Sequence, residues 1–130
     1  MNPQDIDHPA ILAEIRARFE AYEQALMRND VASLDAFFWD DPRVTRYGLA
    51  DRQWGSAQLH AHRLSVPAPR FTRELQHSRI TVWRDDLAVV QVEFVRSDTL
   101  LRGFQSQVWV RFADGWKIAA AHVSMIPFAD

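Results

Sequence analysis

No cysteine occurs among the 130 residues. That absence removes a disulfide framework, a thiolate nucleophile and cysteine-ligated zinc together. Glycine is scarce, four in all, and no glycine-rich loop of the kind that cradles a phosphate is present, which excludes Rossmann and P-loop readings. No apolar run is long enough to cross a bilayer, and the first nineteen residues carry Asp5, Asp7 and Glu14 in place of a signal-peptide core. A cytoplasmic location is therefore expected. An excess of one charge is also lacking: the formal net charge is −2, with acids and bases mixed along the chain. Without a basic stripe to neutralise phosphates, neither nucleic acid nor a membrane is an expected partner.

What is present is ordinary globular composition, 48% hydrophobic and 25% charged, in a length that suits one domain over residues 1–130. Five Trp and eight Phe supply enough apolar surface for a real core and an aromatic-lined cavity. Asp7-His8-Pro9 reads as a helix start, with a capping-type acid and Pro in the first turn. Leu12, Ile15, Phe19, Tyr22 and Leu26 then recur at three- and four-residue spacing as one buried stripe. Asn29-Asp30 ends this helix, and Asp30 can cap a second over residues 31–38.

Residues 43–47 alternate as a short strand, residues 48–51 turn the chain into 52–54, and a third helix runs from Gly55-Ser56 to about Leu64. Strands are expected at 70–76, 79–83, 87–96, 104–112 and 116–126, with hairpin turns at Asp85-Asp86 and Ala113-Asp114-Gly115. Helices followed by antiparallel strands give an α+β fold.

Tyr22 stands on the buried stripe, so its hydroxyl needs a partner. It is either a core Tyr bonded to a backbone carbonyl or a phenol projecting into a cavity as acid, base or oxyanion donor. Arg46 shares a strand face with Val44, pointing inward. It either pairs with Asp40 or Asp41 or waits for an anionic ligand. His60 and His62, two residues apart on a helix, point their rings apart and make a poor metal clamp, and His8 and His77 read as surface or cap residues. His122, placed on the face of Trp116, Ile118 and Ser124, is either a core His or a pocket residue. No metal-site spacing occurs, so neither a metal nor another cofactor is expected.

A long first helix with a buried Tyr, two shorter helices and a curved sheet resemble the cone-shaped nuclear transport factor 2-like fold. Its three N-terminal helices pack in a curved mixed or antiparallel sheet. The segment from Asp114-Gly115-Trp116 through His122-Val123-Ser124 is similar to the last strand of its SnoaL-like members. Phe37-Phe38-Trp39, Thr45-Arg46-Tyr47-Gly48, Arg70-Phe71-Thr72-Arg73 and Gly103-Phe104-Gln105-Ser106-Gln107-Val108-Trp109-Val110 narrow the resemblance to the AtzH-like subgroup. This resemblance implies a cofactor-independent decarboxylating amidohydrolase that converts dicarboxyurea to allophanate in cyanuric acid breakdown. It implies Tyr22 and Arg46 as the catalytic residues. A dianionic substrate calls for a second cation, with Arg70 and His122 as the substrate-binding candidates. The alternative is a non-catalytic module that binds a small acid or a protein in the same cone. A homodimer through the outer sheet face is expected, with Trp109 exposed in a polar row as its motive.

Overall fold

The computed structural model describes residues 1–129. A 3-10 turn, Pro3–Asp5, leads into helix α1 (Pro9–Arg28), helix α2 (Val31–Phe37), strands β1 (Thr45–Tyr47) and β2 (Arg52–Trp54), helix α3 (Ser56–Ser65) and four long strands. These are β3 (Arg73–Arg84), β4 (Leu87–Arg96), β5 (Arg102–Phe112) and β6 (Gly115–Ile126). One six-stranded sheet results, in the order β2-β1-β6-β5-β4-β3. It is antiparallel except where β1 runs parallel to β6.

The helix stripe does what its spacing dictates. Ile15, Phe19 and Tyr22 are buried with Ile11 and Ala25, while Leu12 and Leu26 are half-buried against the same cluster. Opposite them the sheet contributes Val82, Ala88, Val90, Trp109, Trp116 and Ile118. Asn29 ends α1 in the left-handed region, with φ 44° and ψ 48°, and its side-chain amide donates to the carbonyls of Arg63 and Val66 at 3.0 and 2.9 Å. Asp30 caps α2 by accepting from the Ser33 N–H.

Four expectations need correction. Asp7 does not cap α1; its carboxylate accepts from the Val82 N–H at 2.7 Å and its own N–H donates to the Val82 carbonyl. The acid thus pins the N-terminal segment to β3, and His8 occupies the cap position without a capping bond. Residues 70–76 and 79–83 are not two strands. One strand starts at Arg73 and runs unbroken to Arg84, with a register shift between Leu75 and His77 absorbing the irregularity.

Trp109 is not exposed but completely buried, because Gly103, Gln105, Gln107 and Trp109 form the inward row of β5 and Ser106, Val108 and Val110 the outward one. Finally, the register shifts between Val108 and Trp109, leaving Ala119 as an extra residue in β6. Side-chain alternation inverts at such a bulge. His122 therefore pairs with exposed Ser106, on the face opposite Trp116 and Ile118.

Gly103 is needed for close approach. A Cβ there would overlap the buried Phe94 ring, and that ring in turn carries the Arg73 guanidinium 3.8 Å above its centre. Gly103→Ala should therefore cost about 1–3 kcal/mol by overpacking. In a Phe94→Leu background the same substitution should cost less by about 1 kcal/mol or more, a coupling that denaturant midpoints of the four proteins measure directly. Equal costs in both backgrounds would contradict the contact.

Candidate active site

Tyr22 projects from the middle of α1 into the cone. Four aromatic rings fix it: Phe19 stacked at 6.3 Å, and Phe37, Phe38 and Trp109 edge-on at 5.9, 6.1 and 6.5 Å. Such a cage leaves the ring one position and commits its hydroxyl to one direction. Tyr22, Leu26, Arg46, Arg73, Gln105, Gln107, Ala121 and Val123 line a lobe of about 50 Å³, with Tyr47 and His122 also bordering it. One water takes about 30 Å³ of the liquid, so this lobe admits a group the size of a carboxylate and little more. A second lobe of about 140 Å³ adjoins it, sharing Leu26, Arg46, Arg73 and Val123 and extending to Pro69, Phe71 and Met125.

Arg46 reaches the lobe from β1, where alternation turns it inward beside buried Val44. Its partners are not Asp40 or Asp41; the latter is held by Arg43 at 2.9 Å. Arg46 Nη1 donates instead to Asp51 Oδ1 at 2.7 Å and Gln53 Oε1 at 2.9 Å, both supplied by the β1–β2 hairpin. Those bonds leave its other nitrogens for a ligand. Partial burial would raise the Asp51 carboxyl, but bonds from Gln53 and Arg46 and the charges of Arg46 and His62 outweigh it and hold the group below its ordinary 3.8. His62, 3.7 Å from Asp51, is pushed below 6.5 mainly by burial, with the Arg46 and Arg63 charges adding to it and Asp51 opposing.

Two further guanidiniums belong to this region, Arg73 in the lining of both lobes and Arg63 outside them against the Phe38 ring, and the sequence reading missed both as site residues. Arg73, at the start of β3, donates to Glu23 Oε1 at 3.0 Å and to Gln105 Oε1 at 2.9 Å. Burial raises the Glu23 carboxyl above 4.5, with Arg73 and Gln105 working against it. Arg63, in the last turn of α3, is 4% exposed. Its Nε and Nη2 are buried without a hydrogen-bond acceptor. The sequence signal for Arg63 was its place one helical turn after buried Leu59, on the inward face of α3.

Of the four residues expected in the site, Tyr22 and Arg46 line one lobe. Arg70 does not: it is exposed, ahead of the strand, and only from Arg73 does pairing with β4 turn a cation inward. His122 stands at the border of the lobe, but the β6 bulge turns its ring outward, edge-on to Tyr47 at 5.4 Å. Among the described residues no three His, Asp or Glu side chains gather in a metal-holding cluster. No described helix is long and apolar enough to cross a membrane. A larger hollow, about 580 Å³, lies elsewhere, over His77, Arg79, Gln91, Glu93, Phe104 and Ser106. It is an open depression on the outer sheet face, bordered by the Glu93–Arg102 ion pair at 3.2 Å, and no buried aromatic proton donor lines it.

The AtzH-like family model matches residues 4–128. A solved Pectobacterium atrosepticum protein, described as of unknown function, is similar at 40% identity over 97% of this chain and 98% of its own, with a TM-score of 0.94. A Burkholderia xenovorans protein described as having a cystatin-like fold is 41% identical over 95% of this chain and 98% of its own, with a TM-score of 0.91. A nuclear transport factor 2-like superfamily protein from Salmonella enterica shares the fold at 19% identity, covering 93% of this chain and 94% of its own, with a TM-score of 0.77. Among curated proteins, nothing matches.

The site's titration has a sign that can be tested. The folded state disfavours protonated His62, so the unfolded chain takes up that proton first as the pH drops through 6.5. The stability contributed by the neutral imidazole is complete above that value and falls away below it. Asp51, held below 3.8, adds a second loss only under more acid conditions. Thermal melts between about pH 7.5 and 5 should show the wild-type Tm declining more steeply than that of His62→Gln. Parallel profiles would remove His62 from the linkage.

Proposed function

The chain belongs to the AtzH-like family, and from that premise we propose that it is a decarboxylating amidohydrolase acting on a small N-carboxylated urea, dicarboxyurea to allophanate, in cyanuric acid catabolism. The observation that carries this reading is the convergence of Tyr22 and Arg46 on one carboxylate-sized lobe. The lobe is lined by a phenol, guanidiniums and carboxamides. A dry apolar cavity would favour a binding module of the same fold; a proton donor beside cations favours chemistry.

The reaction's difficulty is the leaving nitrogen. When the carboxyl carbon departs as CO2, the electron pair of the broken C–N bond stays on nitrogen, and an amide anion is a poor leaving group. A proton delivered to that nitrogen from the Tyr22 hydroxyl removes the problem. The phenolate so formed takes a proton back from water, and no other reactant is required.

Arg46 clamps the carboxylate that stays. Gripping the one that leaves would stabilise the ground state and slow the step. Its planar fork, already fixed by Asp51 and Gln53, presents the remaining N–H groups without further ordering cost. Arg73 is the second cation for a dianionic substrate, displacing Arg70 and His122 from that role. It stands where the two lobes meet and is held by Glu23 and Gln105.

The proposed assembly is a homodimer through the outer sheet face. With Trp109 inside, the apolar patch on that face is Leu87, Val89, Val108, Val110 and Ala120, contiguous across three strands through the pairs Leu87↔Val110, Val89↔Val108 and Val108↔Ala120. Sedimentation should give a dimer, and Val108→Lys should shift it toward monomer. A monomer at high micromolar concentration in the wild type would count against the assembly.

Tyr22→Phe preserves the ring and its aromatic cage, so folding should persist while turnover falls by about 10²–10⁴-fold. Arg46→Lys should also fail, since a point charge cannot reproduce a two-pronged contact. Purified protein offered short-lived carboxylated ureas, with CO2 and ammonia followed separately, provides the assay. Near wild-type rates in both variants would overturn the mechanism, and an inactive wild type would favour the binding module.

A further inference from the structure

A buried guanidinium ordinarily has an acid beside it, because the cost of removing a charge from water is several kcal/mol even after relaxation. Arg46 has Asp51 and Arg73 has Glu23, at 2.7 and 3.0 Å. Arg63 is as deeply buried as either, yet no carboxylate lies within ion-pair distance among the described residues, and Nε and Nη2 have no acceptor at all. Its guanidinium sits 5.8 Å from the Phe38 ring centre, and Tyr22 packs on the same ring at 6.1 Å. The phenol is the first group that favours Arg63's charge against burial; Asp51 contributes least, and Arg46 repels it. Two bonds from Asn29 to the carbonyls of Arg63 and Val66 tie this end of α3 to the end of α1.

We propose that Arg63 is a positioning residue whose unpaired guanidinium serves as the counter-charge of the Tyr22 oxygen once that oxygen has given up its proton. The assignment deepens the reading of Tyr22 as proton donor and rests on it for its catalytic meaning. The bond that breaks is Tyr22 O–H and the bond that forms is N–H on the departing nitrogen. The negative charge left on the phenol oxygen meets a buried cation near it that, among the described residues, no carboxylate neutralises. Arg46 and Arg73 are committed to acids and to the substrate's carboxylates, and His62 and His122 face Asp51 and Tyr47. The arrangement also accounts for keeping a charge where an apolar side chain would pack at lower cost.

The test needs no substrate. The chain has two tyrosines, so Tyr47→Phe leaves Tyr22 as the single phenol, and its alkaline titration can be followed by phenolate absorbance while circular dichroism stays native. Adding Arg63→Met should move that titration up by about one to three pH units, and Arg63→Lys should restore part of the difference. Arg63→Gln serves as the second neutral variant if Met disturbs folding. In the otherwise wild-type enzyme, Arg63→Met should lower kcat by about 10–100-fold with little change in KM, the alkaline limb of the pH profile moving up with the phenol.

An identical phenol titration with and without the guanidinium overturns the assignment, whatever the activity. A titration that responds to Arg63 in a protein that turns over no carboxylated urea upholds the assignment and sinks the functional reading instead.

Discussion

Burying a phenol ring up to its hydroxyl is the constraint to which the rest of this molecule answers. Tyr22 is caged by Phe19, Phe37, Phe38 and Trp109, which come from α1, α2, the segment after it and β5. Its own helix, α2 with the residue that caps it, and β5 must therefore all be in place before the ring has its single orientation. The same packing closes the cone at one end and leaves the polar lobe at the other. The core and the site are two sides of one cluster, and a loosened core would be felt first as a misdirected hydroxyl.

Charge is organised around that hydroxyl by compensation. Each cation that enters the cone from the sheet brings an acid: Asp51 for Arg46, Glu23 for Arg73. Counting those two carboxylates against Arg46, Arg63 and Arg73 leaves one positive charge uncompensated. An anion is therefore welcome in the lobe and a cation is not. The carboxamides of Gln53 and Gln105 hold the two outer guanidiniums in place without adding charge.

Much of the fold could be read from the chain, and the failures have common causes. Period-three-and-four spacing from Leu12 to Leu26 fixed the inward face of α1 and with it Tyr22. Strand alternation around Val44 did the same for Arg46. Alternation misled wherever one extra residue entered a strand: the bulge at Ala119 reversed His122, and no local signal in Lys117-Ile118-Ala119-Ala120-Ala121 announces it. Arg70 and Arg73 both look like strand cations, and only the pairing with Arg96 decides where the strand begins. Arg63 was passed over because a basic residue in a last helical turn reads as a dipole partner in solvent. Its burial depends on α3 packing against α2 and β2, and the one local trace of it is the helical spacing from Leu59.

Asn29 shows how narrow such tertiary facts can make a position. Its backbone lies in the left-handed region, which glycine would occupy at no steric cost. Its amide, however, also supplies both donors that hold the Arg63 and Val66 carbonyls. Glycine keeps the bend and drops the tie. Aspartate tolerates the bend but offers an acceptor where two donors are required, and glutamine has the donors on a side chain less suited to that backbone. At this residue, which borders neither lobe, the alphabet of amino acids that serve both needs contracts to a single letter.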